Sequence, residues 1–360
     1  MSGAFARISR DIAQEARALE FSSRQAQLAA CAGLGGVGAV LLALALHLDD
    51  PWWAGISAIS VLQAERRATI RRAAERMLGT LIGAAIGVVL APLVAWHIPF
   101  DIACATVAGF TIYAQERTTR SYAVLLGGVT TLLVLFGTLQ SPTQALHLGV
   151  YRGLEIGAGV LVASLVSYVL HPGSHDSAVA GARPGIWSGP GAIELLGIAL
   201  TGAIAVAAIP GIWTTLELPA LGQTPITAFV VTTAMRSDPR LKALARLIGC
   251  CIGGLYGIAA IGIVGGAFVP WLAWLMIGLY VAGFLQHGGG DAGYVGQQAA
   301  VALLMAMVMG ASASPDILPA IDRLTGIAGG IVFISFVMAM LDPLRLRFFP
   351  AHGRGAGQSG

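Results

Sequence analysis

One side-chain pattern with clear chemical potential occurs twice in this chain: an arginine followed by glycines three, seven and eleven residues later. The two copies are Arg76, Gly79, Gly83 and Gly87, and Arg246, Gly249, Gly253 and Gly257. These spacings place all four residues on one face of an α-helix. Glycines four residues apart let a second helix approach closely inside a bilayer, so we predict that the six glycines pack helices together. The recurrence predicts a duplicated membrane unit.

Arg76 and Arg246 are the first candidates for ligand binding. In an apolar segment a guanidinium group can attract a carboxylate strongly, because a low dielectric constant strengthens the attraction. The same side chain can instead be an anchor whose charged end reaches the membrane surface. The residues leave both interpretations open, and we expect both arginines at the cytoplasmic rims of their helices.

A second pair of arginines, Arg152 and Arg323, falls near the predicted outer ends of two other apolar segments. Charged side chains within membrane segments usually face a bundle interior or a water-filled path. Because Glu155 and Asp322 are close in sequence to these arginines, local ion pairs are an alternative explanation. Glu155 is also the candidate for a carboxylate that carries a proton.

No other pattern indicates an enzyme. The 7 histidines and 4 cysteines show no metal-ligand spacing, and no segment resembles a phosphate-binding loop or a nucleophile elbow. We therefore expect no metal, no cofactor and no catalytic residue. The net charge of +3 is modest and no basic run is interleaved with aromatic residues, which argues against nucleic-acid binding.

The elements that position these residues must be membrane helices. Of the 360 residues, 56% are hydrophobic and 11% are charged, and the mean hydropathy is +0.78. A soluble domain carries about 25% charged residues. With 48 glycines, the chain should also contain many tight interfaces between helices.

Twelve apolar segments are candidates for membrane crossings. They are 27–47, 52–64, 75–95, 99–114, 121–138 and 149–170, then 191–210, 222–235, 243–264, 268–285, 294–311 and 320–341. The short segments 52–64 and 222–235 are either complete short spans or broken helices that line a cavity. Six crossings per half give both halves one orientation. We predict an all-α, polytopic integral membrane protein of about 12 transmembrane helices in two parallel six-helix repeats.

The domain boundaries follow from these segments. We predict a cytoplasmic N-terminal arm, a first membrane repeat, a linker, a second membrane repeat and a cytoplasmic tail, at 1–26, 27–172, 173–190, 191–343 and 344–360. Arginine and lysine are concentrated in alternate loops, which predicts that both termini are cytoplasmic. The arm is weakly amphipathic and predicts either a helix along the inner membrane surface or a solvated segment.

A longer motif resembles a known family. Residues 51–63 read Pro-Trp-Trp-Ala-Gly-Ile-Ser-Ala-Ile-Ser-Val-Leu-Gln, and a basic loop then leads to Arg76, Gly79, Thr80 and Gly83. This stretch resembles the fusaric acid resistance-like, or aromatic acid exporter, family, most clearly over 27–170. The membrane module is also similar to that of plant aluminium-activated malate transporters, which are anion channels. In the second half Cys250 replaces Thr80 and the tryptophan pair is absent.

The resemblance implies that the protein exports small organic anions, often aromatic carboxylates, across a bacterial inner membrane with the proton gradient. A passive anion channel and a non-transporting membrane scaffold are the two alternative functions. The expected partners are the organic anion and the lipid bilayer. The chain has almost no soluble domain, unlike larger exporters, so a periplasmic adaptor and a homo-oligomer are left open as further partners.

Overall fold

The computed structural model describes residues 2–17, 23–170, 191–235, 239–264, 267–308 and 318–349. These residues form thirteen α-helices and two short 3-10 helices (Ala91–Ala95 and Pro142–Gln144), without a β-strand in the described ranges. The α-helices are α1 (Ser2–Arg17), α2 (Arg24–Ala45), α3 (Pro51–Val61), α4 (Arg66–Leu90), α5 (His97–Arg117), α6 (Ser121–Gln140), α7 (Ala145–Leu170), α8 (Ala192–Thr215), α9 (Thr224–Thr232), α10 (Pro239–Val264), α11 (Phe268–Gln286), α12 (Ala292–Met307) and α13 (Leu318–Phe348).

Nine of the described helices are long and apolar enough to cross a membrane. They are α2, α4, α5, α6, α7, α8, α10, α11 and α13. The predicted class, an all-α polytopic membrane protein, is confirmed. The predicted linker, 173–190, lies outside the described residues, as do residues 350–360 of the predicted tail.

The other three predicted crossings correspond to shorter helices. Helices α3, α9 and α12 have 11, 9 and 16 residues. At 1.5 Å per residue these are about 16, 14 and 24 Å long, less than the roughly 30 Å of a bilayer core. The two shortest, α3 and α9, are the segments that the sequence marked as short spans or broken helices. About 12 spanning helices therefore stays a prediction.

Two glycine-bearing helices begin earlier than predicted. Helix α4 begins at Arg66 and not at residue 75, and α10 begins at Pro239 and not at residue 243. Hydropathy ends a predicted span at the first charged residues, whereas arginine, alanine and glutamate are good helix formers and continue the helix. Arg76 and Arg246 therefore lie ten and seven residues inside their helices, about 15 and 10 Å from the first residue. They do not mark helix ends.

The chain forms two compact units. The first unit contains Met1–Thr80, His147–Asp176 and Arg240–Thr325, and the second contains Leu81–Leu146, Ser177–Pro239 and Gly326–Gly360. Each unit takes helices from both of the sequence segments predicted to be repeats. The division into repeats at 27–172 and 191–343 stays a prediction about the sequence.

Each unit has its own apolar core. In the first unit, residues of α2, α3, α11 and α12 form the core, with Val40, Leu279 and Leu304 each 0% exposed. In the second unit, α5, α6, α8 and α9 contribute, with Leu132 and Phe229 also at 0%. Helix α10, which carries Arg246, joins the first of these cores through Ala260 and Val264.

Candidate functional site

The short helix α3 presents polar residues along one face. Asp50 precedes the helix, and Trp53 and Ser57 follow three and seven residues later, so all three lie on the same side. Pro51 occupies the first helical position, where its fixed φ suits a helix and its missing N–H leaves no donor unsatisfied. The helix start thereby holds Asp50 in contact with Arg152 of α7.

Arg152 forms an ion-pair cluster with two carboxylates. Its Nη2 atom donates to Oδ2 of Asp50 at 2.6 Å, and its Nη1 atom lies 3.0 Å from Oε2 of Glu155, without hydrogen-bond geometry. Oε1 of Glu155 accepts the backbone N–H of Asp50 at 2.8 Å. The guanidinium carbon lies 4.8 Å from the ring centroid of Trp53, within cation–π range. We call Asp50, Trp53, Arg152 and Glu155 the Arg152 cluster.

The Arg152 cluster has fewer cations than carboxylates. Glu155 is 0% exposed and Arg152 is 8% exposed, while the Asp50 side chain is 27% exposed. A buried carboxylate is tolerated where a cation and hydrogen bonds offset the loss of water. One guanidinium faces two carboxylates, so the cluster becomes neutral when it takes up one proton. The arrangement can therefore hold a proton, and it also ties α7 to the start of α3.

Arg76 reaches the same face of α3, one turn further along. Its Nε atom donates to Oγ of Ser57 at 3.1 Å, and the Ser57 hydroxyl donates to the carbonyl of Trp53 at 2.6 Å. A Cβ on Gly159 of α7 would lie 2.7 Å from Cβ of Ser57, so this glycine lets α7 pack directly on α3. The structure thus brings Arg76 and Arg152 to one helix face, about one turn of α3 apart.

Arg246 and Arg323 belong to a second cluster, within the first unit. Nη1 of Arg246 donates to Oε1 of Gln298 at 3.1 Å, while its buried Nε atom has no hydrogen-bond partner among the described residues. Nη1 of Arg323 lies 2.8 Å from Sδ of Met305, and Sγ of Cys250 lies 3.9 Å from the carbonyl oxygen of Gln298. Both arginines are buried in the same unit. We call these five residues the Arg246 cluster.

The two clusters differ in charge. Arg246 and Arg323 are each 6% exposed, and none of the five members of the Arg246 cluster carries a carboxylate. A cation inside a membrane segment is costly unless it is paired or faces water. An anion that enters the cluster would offset two positive charges at once. Guanidinium groups offer planar N–H donors that match a carboxylate, so the arrangement can bind an organic anion.

The glycines of α4 and α10 set the distance between these two helices and the helices packed against them. In the first unit, a Cβ on Gly249 would lie 2.8 Å from Cβ of Gln298, and a Cβ on Gly253 would collide with the carbonyl of Ala299. The close approach of α10 and α12 is what lets Gln298 reach Arg246. In the second unit, a Cβ on Gly83 would collide with the carbonyl of Gly127 on α6.

The remaining predicted packing glycines are also buried. A Cβ on Gly87 would lie 2.7 Å from Cβ of Val134, and a Cβ on Gly257 would lie 2.6 Å from Cβ of Ala306. Gly79 is buried as well. All six glycines therefore lie on inward-facing sides of α4 and α10.

Two protein-family models match the chain, one in each half. The model described as "Fusaric acid resistance protein family" matches residues 27–188, and the model described as "Fusaric acid resistance protein-like" matches residues 207–338. The chain belongs to the fusaric acid resistance-like family. No curated protein and no solved structure matches it.

Family membership shows a membrane transport role for this fusaric acid resistance-like protein. Proteins of the family are transporters and not enzymes, and the apolar helices agree with a multi-pass membrane protein. The likeness to plant malate transporters is not among the matches. Within the described residues, no group of three or more His, Cys, Asp or Glu side chains is placed to hold a metal ion.

The sequence predicted the four arginines and Glu155 as site residues and missed most of their partners. Asp50 and Trp53 were not predicted, although their position beside Pro51 was a signal that they flank a helix start. Gln298 and Met305 carried no sequence signal. Asp322, offered as a local partner of Arg323, is exposed while Arg323 is buried.

Proposed function

We propose that this fusaric acid resistance-like protein exports small organic anions, mainly aromatic carboxylates, across the bacterial inner membrane by proton-coupled secondary transport. The observation that supports the proposal best is the Arg246 cluster. Arg246 and Arg323 are both buried in membrane helices, Nε of Arg246 has no hydrogen-bond partner among the described residues, and no member of the cluster is acidic.

The substrate carboxylate would bind at the Arg246 cluster. Nε of Arg246 supplies an unused donor, and Gln298 fixes the other end of the same guanidinium group at 3.1 Å. Fixing the donor in advance lowers the cost of ordering it when the anion binds. Met305 adds a flexible apolar side chain beside Arg323, of the kind that adapts to aromatic rings.

The proton would bind at the Arg152 cluster. Its two carboxylates share one guanidinium group, so a single proton balances the charge. Because Asp50 retains partial exposure, protons can reach the cluster from water, while Glu155 holds the buried end. Protons would enter the cell through the Arg152 cluster while organic anions leave it through the Arg246 cluster.

The membrane orientation and the remaining partners are part of the proposal. Both termini would be cytoplasmic, as the distribution of arginine and lysine predicts. The organic anion is the partner that the Arg246 cluster would bind. A periplasmic adaptor or a second copy of the chain would extend the transport path across the envelope.

The test is retention of a radiolabelled aromatic carboxylate in cells that do or do not produce the protein. Arg246→Gln keeps a hydrogen-bonding side chain but removes the charge, so we expect retention to rise to the level of cells without the protein. Arg71→Gln removes an exposed arginine of α4 and is the matched control, with retention as in the wild type. Export by Arg246→Gln at the wild-type rate would overturn the proposal.

The same cells distinguish coupled export from a passive channel. Export that stops when a protonophore collapses the proton gradient indicates coupling. Voltage-dependent current in planar bilayers that is indifferent to a pH gradient would instead show a channel. If the protein shows neither flux nor current, and arginine substitutions change only its expression level, then a membrane scaffold is the function that remains.

A further inference from the structure

The first helix, α1, is docked on the membrane helices of the first unit. Ile8 is 0% exposed and lies in a small apolar cluster with Ala245 of α10 and Val295 of α12. Ile12, on the same face of α1 one turn further on, borders the same cluster. The apolar face of this amphipathic helix is therefore covered by protein at Ile8, while Phe5 stays 56% exposed.

The loop between α11 and α12 is shaped to receive two carboxylates of α1. The backbone N–H of Gly289 donates to Oε1 of Glu15 at 2.8 Å, and the N–H of Asp291 donates to Oδ2 of Asp11 at 2.9 Å. Backbone N–H groups that a short loop presents in this way bind anionic oxygens. The negative charges also lie at the positive end of the α12 dipole.

Three consecutive glycines make this contact possible. A Cβ on Gly288 would lie 2.5 Å from Cδ of Glu15, and a Cβ on Gly290 would lie 2.5 Å from Oδ2 of Asp11. Gly290 also has a φ of +64°, which favours glycine. At Gly289 the nearest atom to a Cβ would be 3.6 Å away. A side chain at position 288 or 290 would therefore occupy the space that the carboxylates of α1 fill.

The docked helix covers the end of the α10–α12 pair next to the Arg246 cluster. Ala245 directly precedes Arg246 in α10, and Gln298 lies three residues after Val295 on the same side of α12. Ile8 lies in one apolar cluster with both of these flanking positions. Only about one helical turn separates Ile8 from the Arg246–Gln298 hydrogen bond.

We propose that α1 is a gate that closes this end of the α10–α12 pair and controls access to the Arg246 cluster. The inference rests on the proposed function, because it assigns the anion to that cluster. With α1 docked, the approach beside Ala245 and Val295 is covered. Release of Glu15 and Asp11 from the glycine loop frees α1 to leave and opens the approach to cytoplasmic anions.

Two neighbouring glycine substitutions test the gate with a built-in control. Gly288→Ala places a methyl group against the Glu15 carboxyl, and the flexible end of that side chain is the part that must move. Gly289→Ala adds the same methyl group at an ordinary contact distance and should leave α1 docked. Ile8→Ser removes the apolar contact independently, with exposed Phe5→Ser as its control.

Access of a water-soluble reagent to the surface under α1 is measured separately from transport. In a Cys251→Ala background, Tyr294→Cys places a thiol beside the Ile8 contact, and its labelling by a membrane-impermeant maleimide is followed in inside-out vesicles. We expect Gly288→Ala and Ile8→Ser to raise the labelling rate about tenfold, the change expected from losing one charge-assisted hydrogen bond or one apolar contact. Gly289→Ala and Phe5→Ser should label at the parental rate.

The outcomes separate the gate from the export proposal. Labelling that does not respond to Gly288→Ala or Ile8→Ser overturns the gate, whatever the transport result. Responsive labelling with wild-type aromatic acid efflux in both variants also overturns it, because access would then not control flux. Responsive labelling in a protein that shows no efflux in any form supports the gate and counts against export.

Discussion

Arg246 donates a hydrogen bond from Nη1 to Oε1 of Gln298 at 3.1 Å, and its Nε–H has no partner in the part of the chain that the structure describes. Arg246 is buried, with only 6% of its surface exposed. A guanidinium group that is held at one edge and has a buried, unsatisfied donor at the other can donate to a ligand. The side chain that faces this arginine is thus a neutral amide and not a carboxylate.

Replacing the Gln298 amide by a carboxylate should lower the export rate without lowering the stability of the protein. Gln298→Glu would place a negative charge against Arg246 and form a buried ion pair in the position of the substrate anion. We expect export to fall at least tenfold while the unfolding temperature in detergent is maintained or raised, because the cation is then paired. A Gln298→Glu variant that exports at the wild-type rate would show that the substrate does not use this arginine.

Gln298→Leu provides the contrasting case. It removes the only described hydrogen bond of Arg246 and leaves a buried cation without that partner, at a cost of about 1–3 kcal/mol in the free energy of unfolding. Thermal unfolding in detergent should therefore show Gln298→Leu as less stable than Gln298→Glu. Equal stability would mean that water already solvates the guanidinium group.

Glu155→Gln should remove proton coupling and preserve the fold. The amide keeps a hydrogen-bond acceptor for the backbone N–H of Asp50, and Arg152 keeps its 2.6 Å contact with Asp50. The cluster then contains one cation and one carboxylate and no longer needs a proton. We expect export driven by a pH gradient to be lost in proteoliposomes.

The control for this variant is exchange between labelled and unlabelled substrate without any gradient. That exchange should continue in Glu155→Gln, and Glu194→Gln, at the start of α8, should behave as the wild type. Unchanged uphill export by Glu155→Gln would remove Glu155 from the coupling mechanism.

Arg152→Gln should destabilise the protein more than the double variant Arg152→Gln with Glu155→Gln. Loss of the arginine alone leaves Glu155 buried at 0% exposure without its cation, and breaking a buried pair costs about 3–5 kcal/mol. The partial exposure of Asp50 moderates the effect, so we expect the lower end of this range. A double-mutant cycle on unfolding free energies measures the coupling, and strict additivity would contradict it.

Two adjacent glycines of α10 should respond oppositely to alanine. Gly253→Ala places a methyl group into the carbonyl of Ala299, so overpacking should cost about 1–3 kcal/mol in the free energy of unfolding. Gly254→Ala meets its nearest atom, Cδ1 of Leu324, at 3.9 Å and should be neutral or stabilising by up to about 1 kcal/mol. Thermal unfolding of the two variants in detergent checks the difference. Similar losses in both would mean that α10 and α12 are not in close contact.

Local sequence patterns were sufficient to predict the helices. Apolar segments and their breaks predicted the positions of α2 to α13 to within a few residues for most of them, because hydropathy and helix periodicity are properties of neighbouring residues. The start of α4 was the largest error. Its first three turns are rich in arginine, which ends a hydropathy window but does not end a helix.

The tertiary structure decided which charges meet. By itself, the sequence determined the membrane class, the glycine faces and the arginines that stand on them, since these depend on composition and on spacing within one helix. Arg152 and Asp50 are 102 residues apart, and Arg246 and Gln298 are 52 apart. Such pairs depend on how helices pack, and helix packing depends on shape and close approach summed over many residues. For that reason the partners of the arginines, and the docking of α1, became visible only in the folded chain.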